Sequence, residues 1–170
     1  MKVRLLSKER RAGYAAHRLA EFADRCRESG LPITPQRLAI IRALLASFEH
    51  PRADAIFARV RRRYPHISLA TVHRTLETLC EMGEARKVTL LHDSARYDGN
   101  VAPHHHVVCV RCRRIRDIEV PGIERLLKGQ IRLGEFTPLT SWLEVQALCD
   151  GCKRKESKGR QKSRIAIAGK

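Results

Sequence analysis

Ser68-Leu69-Ala70-Thr71-Val72-His73-Arg74-Thr75-Leu76-Glu77-Thr78-Leu79-Cys80-Glu81-Met82-Gly83 decides the fold of this 170-residue chain. Leu69, Val72, Leu76 and Leu79 recur at helical spacing, Ser68 is a good N-cap, and Gly83 closes the helix. Its other face shows Thr71, Arg74, Thr75 and Thr78. Working upstream, Ala53 to Arg63 turns Ile56 and Val60 inward and ends before Pro65. Thr34 and Pro35 open a further helix with Leu38, Ile41 and Leu45 as its stripe, stopping near Ser47. Leu19 to Ser29 sets Leu19, Phe22, Ala23 and Cys26 on one face, and Gly30 ends it. Downstream, Ala85–Leu91 and Ala95–Asp98 read as strands joined by a turn around His92-Asp93-Ser94. Helices followed by a hairpin are the layout of a winged helix. Residues 53–82 form its helix-turn-helix, and Ser68–Met82 is the helix that enters the major groove.

After Asn100-Val101-Ala102-Pro103 the composition changes. Strand-like pieces around His106–Val110, Arg114–Ile118 and Trp142–Leu148 surround a helical pattern from Gly122 to Arg132, making a small α/β unit. Cys109-Val110-Arg111-Cys112 lies between its first two strands, and Cys149-Asp150-Gly151-Cys152 follows its last. Two tight thiolate chelates on either side of a segment suit a closed tetrahedral zinc site. Two disulfides or packed thiols are the alternatives, and the absence of a signal-peptide pattern favours zinc. Cys26 and Cys80 fall outside the pattern, in apolar helical stretches, and read as packed thiols.

The formal charge of +16 is unevenly spread. Residues 1–18 hold six Lys/Arg against one acid, and residues 153–170 hold eight against one. Two basic, mobile ends on a mildly basic body suit attraction to nucleic-acid phosphates. No apolar run is long enough to span a membrane, so a cytoplasmic protein is expected. The fold class is α+β. The units are a winged-helix domain over 1–98 with a basic N-terminal arm, a hinge over 99–103, a second domain over 104–152, and a basic disordered tail over 153–170.

The order of these elements resembles the Fur family of metal-dependent bacterial transcription regulators. The resemblance covers about Gly30 to Cys152. It rests on Ile33-Thr34-Pro35-Gln36-Arg37, His50-Pro51-Arg52-Ala53-Asp54, Ser68-Leu69-Ala70-Thr71-Val72, and His104-His105-His106-Val107-Val108-Cys109-Val110-Arg111-Cys112. It implies that the second domain dimerises, that the partner is double-stranded operator DNA, and that the chain is a repressor rather than an enzyme. The DNA-facing set is Arg37, Thr71, His73, Arg74 and Thr75.

Within that family the histidine region is most similar to the PerR peroxide-sensing subgroup. A regulatory Fe(II) or Mn(II) is then implied on His50, Asp98, His104, His106 and Asp117, beside the structural Zn(II) on Cys109, Cys112, Cys149 and Cys152. Asp117 marks the subgroup, since iron-responsive relatives tend to carry Glu there. Mixed imidazole and carboxylate donors suit Fe(II) or Mn(II), whereas thiolates favour zinc. His104 and His106 stand two apart on a strand and face the same side, while His105 points away. In the subgroup, bound Fe(II) reacts with hydrogen peroxide and a ligand histidine is oxidised. That implies His50 and His104 as the oxidised residues, with release of metal and DNA.

Some positions depart from the family. His73 stands where tyrosine is common, and Pro32 stands near a frequently basic position. Ser141 replaces a histidine, so a further metal site on His105 and Glu124 lacks a ligand. An iron- or zinc-responsive repressor is the nearest alternative. A zinc-stapled RNA-binding module and a metal-dependent hydrolase are the alternatives from other classes, and no additional general base supports the hydrolase.

Overall fold

The computed structural model describes residues 4–47, 49–88, 95–123, 134–135 and 142–156. Strand β1 (Arg4–Leu5) precedes four helices: α1 (Lys8–Glu28), α2 (Pro35–Leu45), α3 (Ala53–Arg61) and α4 (Leu69–Glu81). Strands β2 (Arg86–Val88) and β3 (Arg96–Asp98) then pair antiparallel as the wing. The caps act as the sequence predicts: Thr34 accepts from the Arg37 N–H at 3.2 Å, and Ser68 from that of Thr71 at 3.0 Å. Such caps contribute about 1 kcal/mol each. Phe22 of α1, Ile40, Ile41 and Leu44 of α2, Ile56 and Val60 of α3, Val72, Leu76 and Leu79 of α4, and Tyr97 of β3 form one buried core.

Three expectations change. Leu69 is exposed at the first turn of α4, so the buried stripe starts at Val72. The N-terminal arm is not a mobile tail from Arg4 onward, because Ser7 caps α1 and the helix begins well before Leu19. Its inner stripe explains the miss. Arg11, Arg18 and Arg25 recur every seven residues among Tyr14, Ala15 and Leu19, and each guanidinium meets an acid inside the fold. Arg18 and Arg25 both reach the buried Glu84 just beyond α4, Arg18 at 2.6 Å. At the other end, residues 150–156 are helical, so the first residues of the presumed disordered tail continue a helix. The turn at His92–Ser94, most of the Gly122–Arg132 helix, and the remainder of the tail lie outside the described residues.

Strands β4 (His105–Cys109), β5 (Ile115–Glu119) and β6 (Glu144–Ala147) build the second unit. The sheet order is β1-β5-β4-β6, with β4 and β6 parallel and the other pairs antiparallel. Two consequences follow. The parallel pair brings the C-terminal ends of β4 and β6 together, and each end carries one Cys-x-x-Cys segment. Strand β1 adds to this sheet and α1 then runs into the helical core, so residues 4–28 touch both units. Among the described residues, no helix is long and apolar enough to cross a membrane.

Candidate metal centres

The thiol cluster follows from the strand alignment. Cys109 ends β4 opposite Ala147 of β6, two residues before Cys149. The Val110 N–H donates to the Ala147 carbonyl at 2.9 Å, and the Cys149 N–H donates to Cys109 Sγ at 3.4 Å. Arg113 adopts a left-handed φ of 60° in the turn that curls Cys112 back. Sulfurs from all four cysteines lie within 4.8 Å of one another, and Cys112 and Cys149 are 3.7 Å apart. A tetrahedral ion with bonds of about 2.3 Å places its sulfurs about 3.8 Å apart. Backbone N–H groups of Cys112 and Cys149 hold the Cys109 thiol down to about 6, which favours the ligating thiolate. Burial, together with the neighbouring Cys149, pushes Cys152 up to about 12. Four adjacent sulfurs cannot all ionise cheaply without a cation.

The second cluster draws on both units. His106 and Asp117 are direct cross-strand partners on β4 and β5, so both project from one sheet face. His104 precedes His106 by two and shares that face, while His105 turns away and accepts the Leu143 N–H at 3.1 Å. The wing supplies Asp98 at the end of β3. Gly99 lets this end lie flat on α2, since a Cβ there would stand 2.9 Å from Leu45 Cδ2 and 3.3 Å from Leu44 Cγ. His50 comes from the loop between α2 and α3, held in the left-handed region at φ 49°. The Tyr97 N–H donates to the Pro51 carbonyl at 2.9 Å and ties that loop to β3. Strain of this kind persists where surrounding contacts over-determine the backbone, commonly at functional sites.

The five side chains aim at one point. His50 Nε2 lies 3.2 Å from both Asp98 Oδ2 and Asp117 Oδ1, and 3.1 Å from His106 Nε2. His104 Nε2 is 2.9 Å from Asp98 Oδ2 and 2.9 Å from His106 Nε2. An ion with bonds of about 2.1 Å sets neighbouring donors about 3 Å apart and opposite ones about 4.2 Å apart. The inner oxygens, Asp98 Oδ2 and Asp117 Oδ1, are buried and face the imidazole Nε2 atoms of the cluster. His104 Nδ1 donates to the Ala102 carbonyl at 2.7 Å, which turns Nε2 toward the cluster. Burial opposes the charge on Asp98, yet hydrogen bonds from His104, His106 and His50 hold it well below the usual carboxylate range. Burial lowers His106, which keeps it neutral as a ligand must be. For His104, burial is outweighed by the bond to Asp98 and its basicity rises. Borderline nitrogen and hard oxygen donors in a buried cage fit a divalent ion such as Fe(II) or Mn(II).

The chain matches the ferric uptake regulator family over residues 28–146. It belongs to that family. A peroxide operon regulator of Bacillus subtilis is 34% identical over 143 residues, covering 84% of this chain and 99% of the relative. A peroxide-responsive repressor PerR of Staphylococcus epidermidis is 32% identical over 137 residues, covering 81% and 91%. The solved ferric uptake regulator Fur of Helicobacter pylori superposes with a TM-score of 0.69 at 20% identity, covering 90% and 97%, and so shares the fold.

The structure gathers all nine proposed ligands of this Fur-family member into two clusters. The DNA-facing set is less uniform. His73 and Arg74 are exposed on α4. Thr71 is half-buried, with its hydroxyl 2.8 Å from Ser68 Oγ. Thr75 faces inward at 8% exposure, a correction with a simple cause: it falls between Val72 and Leu76 on the core side of α4. Arg37 is half-buried and donates to the Pro32 carbonyl. Arg11 and Asn100 are the residues that sequence reasoning missed. Arg11 Nη2 stands 3.2 Å from Asp98 Oδ1 and Nη1 2.8 Å from Asp117 Oδ2. Asn100 donates its N–H to Asp98 Oδ1 at 2.8 Å and its Nδ2 to Asp117 Oδ2 at 3.3 Å. The outer oxygens of both carboxylates are thus held from behind. The seven-residue spacing of Arg11, Arg18 and Arg25 was the available signal for an inward arginine stripe.

Proposed function

We propose that this Fur-family protein is a homodimeric, metal-dependent repressor of double-stranded operator DNA that senses hydrogen peroxide. Cys109, Cys112, Cys149 and Cys152 hold a structural Zn(II). His50, Asp98, His104, His106 and Asp117 hold a regulatory Fe(II) or Mn(II). The carrying observation is the second cluster, in which His50 and Asp98 of the winged helix converge with His104, His106 and Asp117 of the sheet. A ligand bound by residues of both units favours the one orientation in which all five converge, and so shifts the population toward it. That orientation presents the exposed His73 and Arg74 of α4 to a major groove.

His50, Asp98, His104, His106 and Asp117 would hold Fe(II), which would activate hydrogen peroxide. A ligand imidazole would then gain one oxygen atom in place of a ring hydrogen, giving up two electrons, while the second peroxide oxygen leaves as water. His50 and His104 are the oxidised residues. His104 also lines a surface cavity of about 520 Å³ that admits so small an oxidant. An oxidised His50 no longer ties the winged helix to the sheet, and DNA is released. The regulator works outside the membrane, in the cytoplasm.

The test is peptide mass spectrometry of Fe(II)-loaded and Mn(II)-loaded protein after a brief low dose of peroxide. One added oxygen on His50 or His104 with iron alone supports the reading. Unmodified histidines with retained metal-dependent DNA binding would make the protein an iron- or zinc-responsive repressor of the same family.

A further inference from the structure

The geometry points to Arg11 as a positioning residue for the regulatory metal, one that joins the N-terminal segment to the switch by holding the outer oxygens of Asp98 and Asp117. This rests on the regulatory-site reading above. Arg11 lies outside the stretch that matches the family, which begins at residue 28.

A guanidinium presents donors in a fixed planar fork, and here its two terminal nitrogens address two carboxylates from different units. The Arg11 side chain is 5% exposed and the two carboxylates 0% and 1%, so solvent cannot take over its place. Because each outer oxygen is engaged by Arg11 and Asn100, each aspartate offers the cage only its inner oxygen. The donor set is thereby fixed at three imidazole nitrogens and two single oxygens. Without Arg11 each outer oxygen keeps only its bond from Asn100, and the two buried carboxylates gain freedom to rotate and to chelate through both oxygens.

The chain on either side of Arg11 is anchored to β5 and to the segment between the two units. Leu6 donates its N–H to the Asp117 carbonyl at 3.0 Å, and Arg4 and Leu5 pair with Glu119 and Ile118 on β5. Arg10 is ion-paired with Glu119. Tyr14 accepts the Val101 N–H at 3.1 Å in the segment between the two units. A metal that orders Asp98 and Asp117 therefore orders the partners of residues 4–14, and docking of that segment orders the ligands in return. Such coupling is reciprocal by thermodynamic necessity.

The charge of Arg11 opposes a cation while its geometry favours one, so the direction of the effect separates the two. If positioning dominates, as is usual for groups that orient ligands, Arg11→Met weakens Mn(II) binding by about tenfold to a hundredfold. Arg11→Lys keeps the charge but donates as a point to one carboxylate at a time, and recovers part of the loss. The experiment titrates Mn(II) into the full-length zinc-loaded protein and reads free Mn(II) by electron paramagnetic resonance. It compares wild type, Arg11→Met, Arg11→Lys and, as a control on the exposed far end of α1, Arg27→Met, and records hydrogen exchange of residues 4–14 with and without Mn(II). The expected result is weakened binding in the order Met, then Lys, wild-type affinity for Arg27→Met, and Mn(II)-dependent protection of residues 4–14 that Arg11→Met abolishes. If Arg11→Met fails to fold, Arg11→Lys decides alone, with reduced affinity expected. Equal or tighter binding by the folded Arg11 variants overturns the inference while leaving the regulatory site intact. No Mn(II) binding by the wild type overturns both.

Discussion

Replacing His106 with alanine tests the regulatory cluster at its centre. Its Nε2 lies 3.1 Å from that of His50 and 2.9 Å from that of His104, and its strand position faces Asp117. Removing it breaks the donor set that spans β4, β5 and the winged helix, while the caps, the helical core and the four cysteines are untouched. A ligand that binds only the folded chain, present at a hundred times its dissociation constant, stabilises by about 2.7 kcal/mol. For a chain of this size, each kcal/mol shifts the thermal midpoint by about 2–4 °C. Wild-type protein should therefore gain about 5–11 °C on saturation with Mn(II), and His106→Ala should gain almost nothing at the same concentration. Differential scanning calorimetry on zinc-loaded samples, with zinc content measured before and after, reads this directly. An Mn(II)-dependent gain in His106→Ala equal to that of the wild type would refute the assignment of the five residues to one ion.

Three further outcomes are expected. Glu84→Ala strands two partly buried guanidinium groups, Arg18 and Arg25, and should cost about 3 kcal/mol, toward the lower end of what breaking a buried pair costs because both arginines keep some water contact; chemical denaturation showing less than 1 kcal/mol would remove this anchor of α1. Arg74→Ala should weaken operator binding by about 1–3 kcal/mol if the side chain reads a base, or lower the salt dependence by about one ion if it meets a phosphate, and a titration over several salt concentrations that shows neither removes Arg74 from the interface. Cys112 is exposed, so Cys112→Ser leaves packing alone; it should nevertheless lose zinc and lower the thermal midpoint, and full zinc retention would contradict a four-thiolate site.

Much of the function was legible in one dimension because its signals are local. Ser68 and Thr34 cap their helices as predicted, since a cap depends only on residues three apart. The Cys-x-x-Cys spacing carries its own chelate geometry, and the alternation His104, His106 on a strand places two imidazoles on one face whatever surrounds them. The arginine stripe of α1 was not legible in the same way. A charged residue on a helix reads as solvent-facing unless its partner is known, and Arg11 finds its partners 87 and 106 residues away.

By itself, then, the sequence determined the helices that cap themselves, the two Cys-x-x-Cys pairs and the residue types able to ligate a metal in each cluster. Tertiary structure decided how those pieces meet. The parallel pairing of β4 with β6 joins the two cysteine pairs, and the packing of Gly99 on α2 carries Asp98 to the histidines. The return of β1 to β5 delivers Arg11 behind the carboxylates, and the rotation of α4 turns Thr75 into the core. The reason is physical: spacing along a chain encodes geometry over a turn or a strand, whereas register and burial depend on which distant surfaces exclude water together.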